Sequence, residues 1–253
     1  MVDNGSNSES LESLKLFAEE NSDWKLVNLE HNRGFGAGMN AGLALLADGH
    51  YERVFFLNND TLLTTDTLRQ LVKYVAEHPD DLITGVTVFG DDGEVRTMGG
   101  YRYYPWLGMA RAVKKSYRQP DFRGLDYIDG AAFLVAGDFL KRIGGLPETN
   151  FLYFEELNLA AQVSDKSQLG CCATASVVHQ GGVTTHGELP ASSRHYHALL
   201  SCLRYTEEHE SQWLLPSVLA TRLGWLLLLS IKTLSLAPIA GGLEAVHTFF
   251  YKR

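Results

Sequence analysis

The sequence predicts an α/β layer architecture: a mostly parallel sheet flanked by helices, with a helical C-terminal tail. Three observations predict it. Short apolar runs alternate with helix-periodic stretches as far as residue 189. A glycine-rich turn, Arg33 to Gly38, separates a strand pattern from a helix pattern. The apolar run Arg53-Val54-Phe55-Phe56-Leu57 stops abruptly at Asn58-Asn59-Asp60, as a buried strand does where it reaches a ligand-binding edge.

Each element follows from local pattern. Val2 reads as the last residue of a strand whose earlier part is absent. Leu11, Leu14, Phe17 and Ala18 recur at helical spacing and predict a helix over 8–20. Residues 24–29 read as a short strand, and the glycine turn then opens a helix running through Leu45. Residues 53–57 form a buried strand. Thr65 is the predicted N-cap of a helix that places Leu68, Leu71, Val72 and Val75 on one face. Residues 82–89 read as strand. Residues 91–123 read as loop and carry six aromatics: Tyr101, Tyr103, Tyr104, Trp106, Tyr117 and Phe122. Strand over 127–135, helix over 138–143, helix over 155–168 and strand over 171–178 follow.

A second region begins near Pro190, with a helix over 195–210. Trp213 to Tyr251 is strongly apolar around Leu226-Leu227-Leu228-Leu229. A membrane span needs about 20 uncharged residues. Here Arg222 and Lys232 interrupt, and Pro216 and Pro238 break the helix. An in-plane amphipathic membrane helix is expected, with peripheral membrane contact through residues 213–251. The competing reading packs these leucines on the α/β domain. The expected organisation is thus 1–189 and 190–253.

Composition bounds the function. The chain has 253 residues, 45% hydrophobic, enough for one sizeable core. Its 22 basic and 30 acidic residues give a formal charge of −8, which argues against non-specific nucleic-acid binding. Cys171, Cys172 and Cys202 show no metal-type spacing; Cys171 and Cys172 should face opposite sides of one strand in a reducing compartment. The polar start lacks a secretory pattern. A cytoplasmic location, peripheral at the inner face of the cell membrane, is expected.

The candidate site residues are these. In Phe151-Leu152-Tyr153-Phe154-Glu155-Glu156, an aromatic block precedes two carboxylates. Held in partly apolar surroundings, Glu156 or Glu155 can act as a general base. The bland alternative is a helix start where acids offset the macrodipole. In the turn Asn32-Arg33-Gly34-Phe35-Gly36-Ala37-Gly38-Met39-Asn40, backbone can approach a diphosphate. Gly36 to Ala41 also fits the dinucleotide pattern G-x-G-x-x-A, so an NAD-type oxidoreductase is a rival class. Asp60 is either a ligand of Mg2+ or Mn2+ or part of an Asn/Asp turn. His179 is either a further metal ligand or an exposed loop histidine.

Taken in order, Val2-Asp3-Asn4-Gly5-Ser6, the glycine turn, Leu57-Asn58-Asn59-Asp60-Thr61, Asp129-Gly130-Ala131-Ala132, Gly144-Gly145-Leu146-Pro147-Glu148 with the Glu155-Glu156 block, and Val178-His179-Gln180-Gly181-Gly182 resemble family 2 glycosyltransferases of the GT-A (Rossmann-like) fold. The likeness is strongest to rhamnosyltransferase-like bacterial members and covers residues 2–185. It implies inverting transfer of a sugar from a nucleotide-diphosphate donor to a saccharide or lipid-linked acceptor, in cell-surface polysaccharide synthesis. It further implies donor binding by Asp3, Asn32, Gly34, Phe35, Gly38, Asn40 and Asn59, with Asp3 at the nucleobase. Asp60 and His179 would hold Mg2+ or Mn2+, and Glu156 would deprotonate the acceptor. Relative to the family pattern, a strand and helix before Val2 are missing, Asn158 stands for an acid and Gln162 for an arginine, and the Arg-Asn pair often seen near the helix over 195–205 is lacking. A truncated, non-catalytic homologue is therefore a further alternative.

Overall fold

A computed structural model describes residues 1–46, 49–114, 124–181 and 189–252. Tyr117, Phe122 and Gly182, singled out above, lie outside the described residues. The chain opens with β1 (Val2–Asn4), α1 (Ser8–Glu20) and β2 (Val27–Leu29), and the two strands pair in parallel as a separate two-stranded sheet. α1 spans the residues its periodicity predicts, and the Asn7 side chain caps it by accepting the Ser10 N–H at 2.9 Å. α2 (Phe35–Leu43) continues into one 3-10 turn ending at Leu46.

A six-stranded sheet follows. It contains β3 (Arg53–Leu57), β4 (Thr61–Leu63), β5 (Ile83–Phe89) and β6 (Val95–Met98), with α3 (Thr67–Glu77) between β4 and β5. A three-stranded sheet of β7 (Gly100–Tyr104), β8 (Met109–Ala112) and β9 (Tyr127–Ile128) leads to β10 (Ala132–Ala136). Then come α4 (Gly137–Ile143), α5 (Glu155–Ala161), β11 (Leu169–His179) and the helices α6 (Ala191–His209), α7 (Leu215–Thr233) and α8 (Ala237–Tyr251).

The expected mostly parallel sheet is corrected to a mixed one. Its order is β3-β10-β5-β11-β4 with β6 also on β5, and only β5 and β11 pair in parallel. The reason lies in the connection into β10. The chain leaves the end of β5 and passes through β6 to β9 with no helix among the described residues to carry it back. It re-enters between β3 and β5 from the edge where both end, so β10 must run against both.

Four local expectations also change. The described part of residues 91–123 holds three strands, β6, β7 and β8, rather than loop alone, and Tyr101 of β7 stacks on Tyr127 of β9. The strand expected over 127–135 is split at Asp129-Gly130. α5 stops at Ala161, and only a 3-10 turn remains at Lys166–Gln168. α3 is capped at Asp66 and turns Thr67, Leu71 and Tyr74 inward, leaving Leu68 52% and Val72 68% exposed.

The sheet buries both faces. One face gathers Phe56, Ile83, Phe133, Phe139, Leu169 and Cys171; the other gathers Leu71, Tyr74, Val86, Val88 and Cys172. The two adjacent cysteines do face opposite sides, as strand pleating requires, and all three are buried and in no disulfide. The C-terminal ends of β3, β5 and β11 share one edge with the starts of β10 and β4. α6 packs along α8, and Leu199, Cys202 and Leu203 of α6 share an apolar cluster with Val218 and Leu226 of α7.

Candidate functional site

Asp60 follows β3, and His179 ends β11. The antiparallel pairing of β4 with β11 sets Thr61 opposite His179. That register brings the two side chains together: His179 Nε2 lies 3.1 Å from Asp60 Oδ1, both mostly screened from solvent. The Gln180 N–H also donates to the Asp60 carbonyl at 3.1 Å. The pair offers one oxygen and one nitrogen donor, a set that suits Mn2+ or Mg2+ only if further oxygens complete the sphere. Among the described residues no group of three or more His, Cys, Asp or Glu could hold a metal. The residues present therefore fit an ion shared with a phosphate-bearing ligand, and do not fit a closed protein cage.

Glu155 and Glu156 open α5 on a strained approach. Tyr153 and Phe154 have φ of 69° and 70°, the left-handed region that bulky side chains avoid. Aromatic packing holds Phe154, whose ring meets Tyr103 at 6.1 Å and Tyr205 of α6 at 5.8 Å. Ser201 Oγ of α6 donates to the Leu152 carbonyl at 2.9 Å. The two carboxylates then separate in environment. Glu155 is 5% exposed, and its Oε1 is buried with no hydrogen-bond partner. Glu156 stays partly open and lies against Gly130, where any Cβ would collide with its Oε1.

Both acids have raised proton affinity. Burial pushes the Glu155 carboxyl up to about 8, with the Glu156 charge adding to it. Burial pushes Glu156 up to about 7, and the Asp129 charge adds to that. Asp129 is itself held in place by hydrogen bonds. Thr97 Oγ1 and the Tyr101 hydroxyl donate to its Oδ2 at 2.9 and 3.1 Å, and the Ala131 N–H donates to its Oδ1 at 3.0 Å. Sequence reasoning missed Thr97, Tyr101 and the role of Asp129 beside Glu156. The signal that could have found Asp129 was the Asp-Gly break in an otherwise apolar strand.

One chain of contacts links the acid pair to Asp60. Gly130, against Glu156, precedes Ala131, whose carbonyl accepts the Asn58 N–H at 3.0 Å, and Asn58 lies two residues before Asp60. The Glu156 contact at Gly130 is thus joined through the backbone to the segment that carries Asp60.

The glycine turn meets the segment that leads into α5. Gly34 has φ of 90°, and a Cβ there would lie 2.6 Å from the Phe151 carbonyl oxygen. The Phe35 N–H donates to that same carbonyl at 3.4 Å. Asn4 clamps the turn: its Nδ2 donates to the Gly34 carbonyl at 2.9 Å, and its Oδ1 accepts the Arg33 N–H at 3.0 Å. Asn32 is exposed, and its Oδ1 accepts the Gly34 N–H at 2.9 Å. Gly38 is buried against the Asn4 side chain, 3.0 Å from its Nδ2 to a Cβ placed there. Asn40 is turned to the loop after α4, with Nδ2 donating to the Leu146 carbonyl at 2.9 Å and to Glu148 at 2.7 Å. Its Oδ1 accepts the Leu146 N–H at 2.8 Å, so its amide is engaged in holding the scaffold. Asp3 is buried on β1 and accepts the Ser6 N–H at 3.3 Å, while Asn59 is exposed beside Asp60. Sequence reasoning did not foresee Asn4 as the clamp.

Comparison with known proteins gives a consistent picture. Residues 1–140 match the family described as Glycosyl transferase family 2. An uncharacterized glycosyltransferase of Haemophilus influenzae is 33% identical over 81 residues, which is 32% of this chain and 29% of that protein. GalNAc-T7, solved with UDP, GalNAc and Mn2+, superposes with a TM-score of 0.60 at 15% identity, over 81% of this chain and 40% of its own. The mannosyltransferase of Pyrobaculum calidifontis, solved with GDP-Man and Mn2+, gives 0.55 at 15% identity, over 100% and 77%. TarS 1–349 of S. aureus gives 0.56 at 14% identity, over 98% and 69%. The chain thus spans well under two thirds of the first two of these proteins, and the structural likeness establishes the GT-A-like fold.

Proposed function

The chain belongs to glycosyl transferase family 2, and from that premise we propose that it transfers a sugar, with rhamnose as the candidate, from a nucleotide-diphosphate donor to an acceptor hydroxyl. The reaction is read as inverting, and the acceptor as a saccharide or lipid-linked glycan in cell-surface polysaccharide synthesis. The reading is supported by the Asp60–His179 contact and by the backbone hydrogen bond that ties Ala131, next to the Glu156 contact at Gly130, to Asn58, two residues before Asp60.

In this reading the pair divides its labour. Glu156, partly open and with a proton affinity near neutrality, accepts the proton of the acceptor hydroxyl. The freed oxygen forms a bond to the sugar's anomeric carbon from the face opposite the diphosphate, and the carbon–oxygen bond to the diphosphate breaks with its electrons leaving on the phosphate. Attack on the far face inverts the centre and needs no covalent enzyme intermediate. Glu155, pushed up to about 8 by burial, keeps its own proton at neutral pH and so limits like-charge repulsion with Glu156. Asp60 and His179 are the residues that would hold Mn2+ or Mg2+, and such an ion would supply charge neutralisation for the departing diphosphate. Structural neighbours solved with Mn2+ alongside UDP or GDP-Man support a divalent metal as cofactor. Asp3, Asn32, Gly34, Phe35, Gly38 and Asn59 remain the proposed donor-facing set, with Asn40 holding the loop behind them. The compartment proposed for this chemistry is the cytoplasm.

Calorimetric titration with UDP and dTDP, with and without Mn2+, tests the reading. Metal-dependent binding is expected for at least one nucleotide, and Asp60→Asn should remove the metal dependence. Binding of NADH with no response to nucleotide diphosphates would instead support an oxidoreductase.

A further inference from the structure

The C-terminal helices expose an apolar stripe that packing does not use. Gln212–Thr233 is long and apolar enough to cross a membrane by length and composition, yet few of its residues are buried. α7 turns Val218, Leu226 and Ser230 inward against its neighbours. On its opposite side Leu227, Leu228 and Ile231 recur at helical spacing, 52%, 64% and 64% exposed. The stripe continues into the turn between α7 and α8, where Leu234 is 95% and Leu236 78% exposed, and these residues line a shallow apolar groove with Ser230 and Ile239. Leu234 holds φ of 51°, and its amide caps α7 through the Ile231 and Ser230 carbonyls. A bulky apolar side chain is therefore held outward at a position where glycine would be the easier choice.

We infer that this hairpin tip docks in the plane of an anionic lipid surface, inserting Leu234 and Leu236 while α7 lies along the interface. Three features support the lipid occupant over others. Residues 212–252 carry three basic side chains, Arg222, Lys232 and Lys252, against the single acid Glu244, although the whole chain is −8. That local excess suits anionic headgroups and would oppose pairing with a second copy through the same face. Trp225, Phe250 and Tyr251 are exposed on the same pair of helices, as side chains of interfacial segments are. Spanning is disfavoured, because α7 would have to leave the cluster it shares with α6 and carry Arg222, whose buried Nε has no hydrogen-bond partner, into the bilayer. The inference stands independently of the transfer chemistry.

The test is co-sedimentation of the full chain with vesicles of phosphatidylcholine alone and of phosphatidylcholine with phosphatidylglycerol. Binding to the anionic vesicles is expected, weakening in high salt. The double variant Leu234→Ser, Leu236→Ser should lower the bound fraction roughly tenfold or more, with an unchanged melting curve since both side chains are already in water. Lys232→Glu should weaken binding to the anionic vesicles specifically. No sedimentation of the parent protein would overturn the inference. So would retention of the pellet after alkaline carbonate washing, which indicates spanning. Concentration-dependent dimers that the double variant abolishes would assign the face to a second copy instead.

Discussion

Gly130 is the residue on which Glu156 depends for its place. The carboxylate occupies the space that a Cβ would fill, so Gly130→Ala should displace Glu156 without disturbing the core beneath it. Turnover is expected to fall about tenfold to a hundredfold, as misplacement of a reacting group does, with the melting temperature nearly unchanged. A steady-state assay and a melt on the same sample check this. Glu156→Gln removes the base itself, and kcat should fall about 10²–10⁴-fold while nucleotide binding persists; lost nucleotide binding would argue against the assignment. Because Glu156 must be ionised to accept a proton, kcat/KM should rise with pH through about 7. The neighbouring charge of Asp129 contributes to that midpoint, so Asp129→Asn should move it to lower pH.

At the scale of elements, the segment from Gly145 to Phe154 joins the glycine turn to the acid pair. Asn40 fastens its beginning by three hydrogen bonds, to both backbone groups of Leu146 and to Glu148. Asn40→Ala leaves the Leu146 N–H and carbonyl without those partners and should cost about 1–3 kcal/mol, read as a lower denaturant midpoint at constant slope. The end of the segment is fastened differently. Two successive aromatic residues sit in the left-handed region, at a cost on the order of 1–3 kcal/mol each. The cluster of Phe154, Tyr103 and Tyr205 offsets that strain. α6 is therefore a structural wall of the site: Tyr205 packs on Phe154, and His209 Nε2 meets Asn158 Oδ1 at 3.1 Å. β10 plays the matching role on the other side, carrying Asp129-Gly130 to the sheet edge at its start.

The whole molecule carries the consequence of two acids with raised proton affinity. Each has a folded proton affinity above its ordinary value of 4.5, so the folded state holds more protons than the unfolded chain across that gap. Stability should be fullest below pH 4.5 as far as these groups decide it, and should decline as pH rises from there through about 8. Glu155→Gln should flatten that decline and raise the melting temperature at pH 8; an unchanged pH profile would refute it. Much of this molecule is legible before folding. The periodicity of α1, the apolar run of β3 and the opposite faces of Cys171 and Cys172 depend on nearest neighbours along the chain, and the glycine turn announces itself by residue type. Local pattern also nominated Asp60, Glu156 and His179 one by one. What it could not supply was their relation. The β4–β11 register joins His179 to Asp60, and the insertion of β10 sets Gly130 under Glu156. The strands within residues 91–123 pair with near neighbours, β6 with β5 and β8 with β7, and escaped because segments such as Val95-Arg96-Thr97-Met98 and Met109-Ala110-Arg111-Ala112 carry little apolar alternation. A side chain's chemistry is written in its own residue and near neighbours, whereas its proton affinity and its partners depend on which distant atoms displace water around it, and only the folded chain decides that.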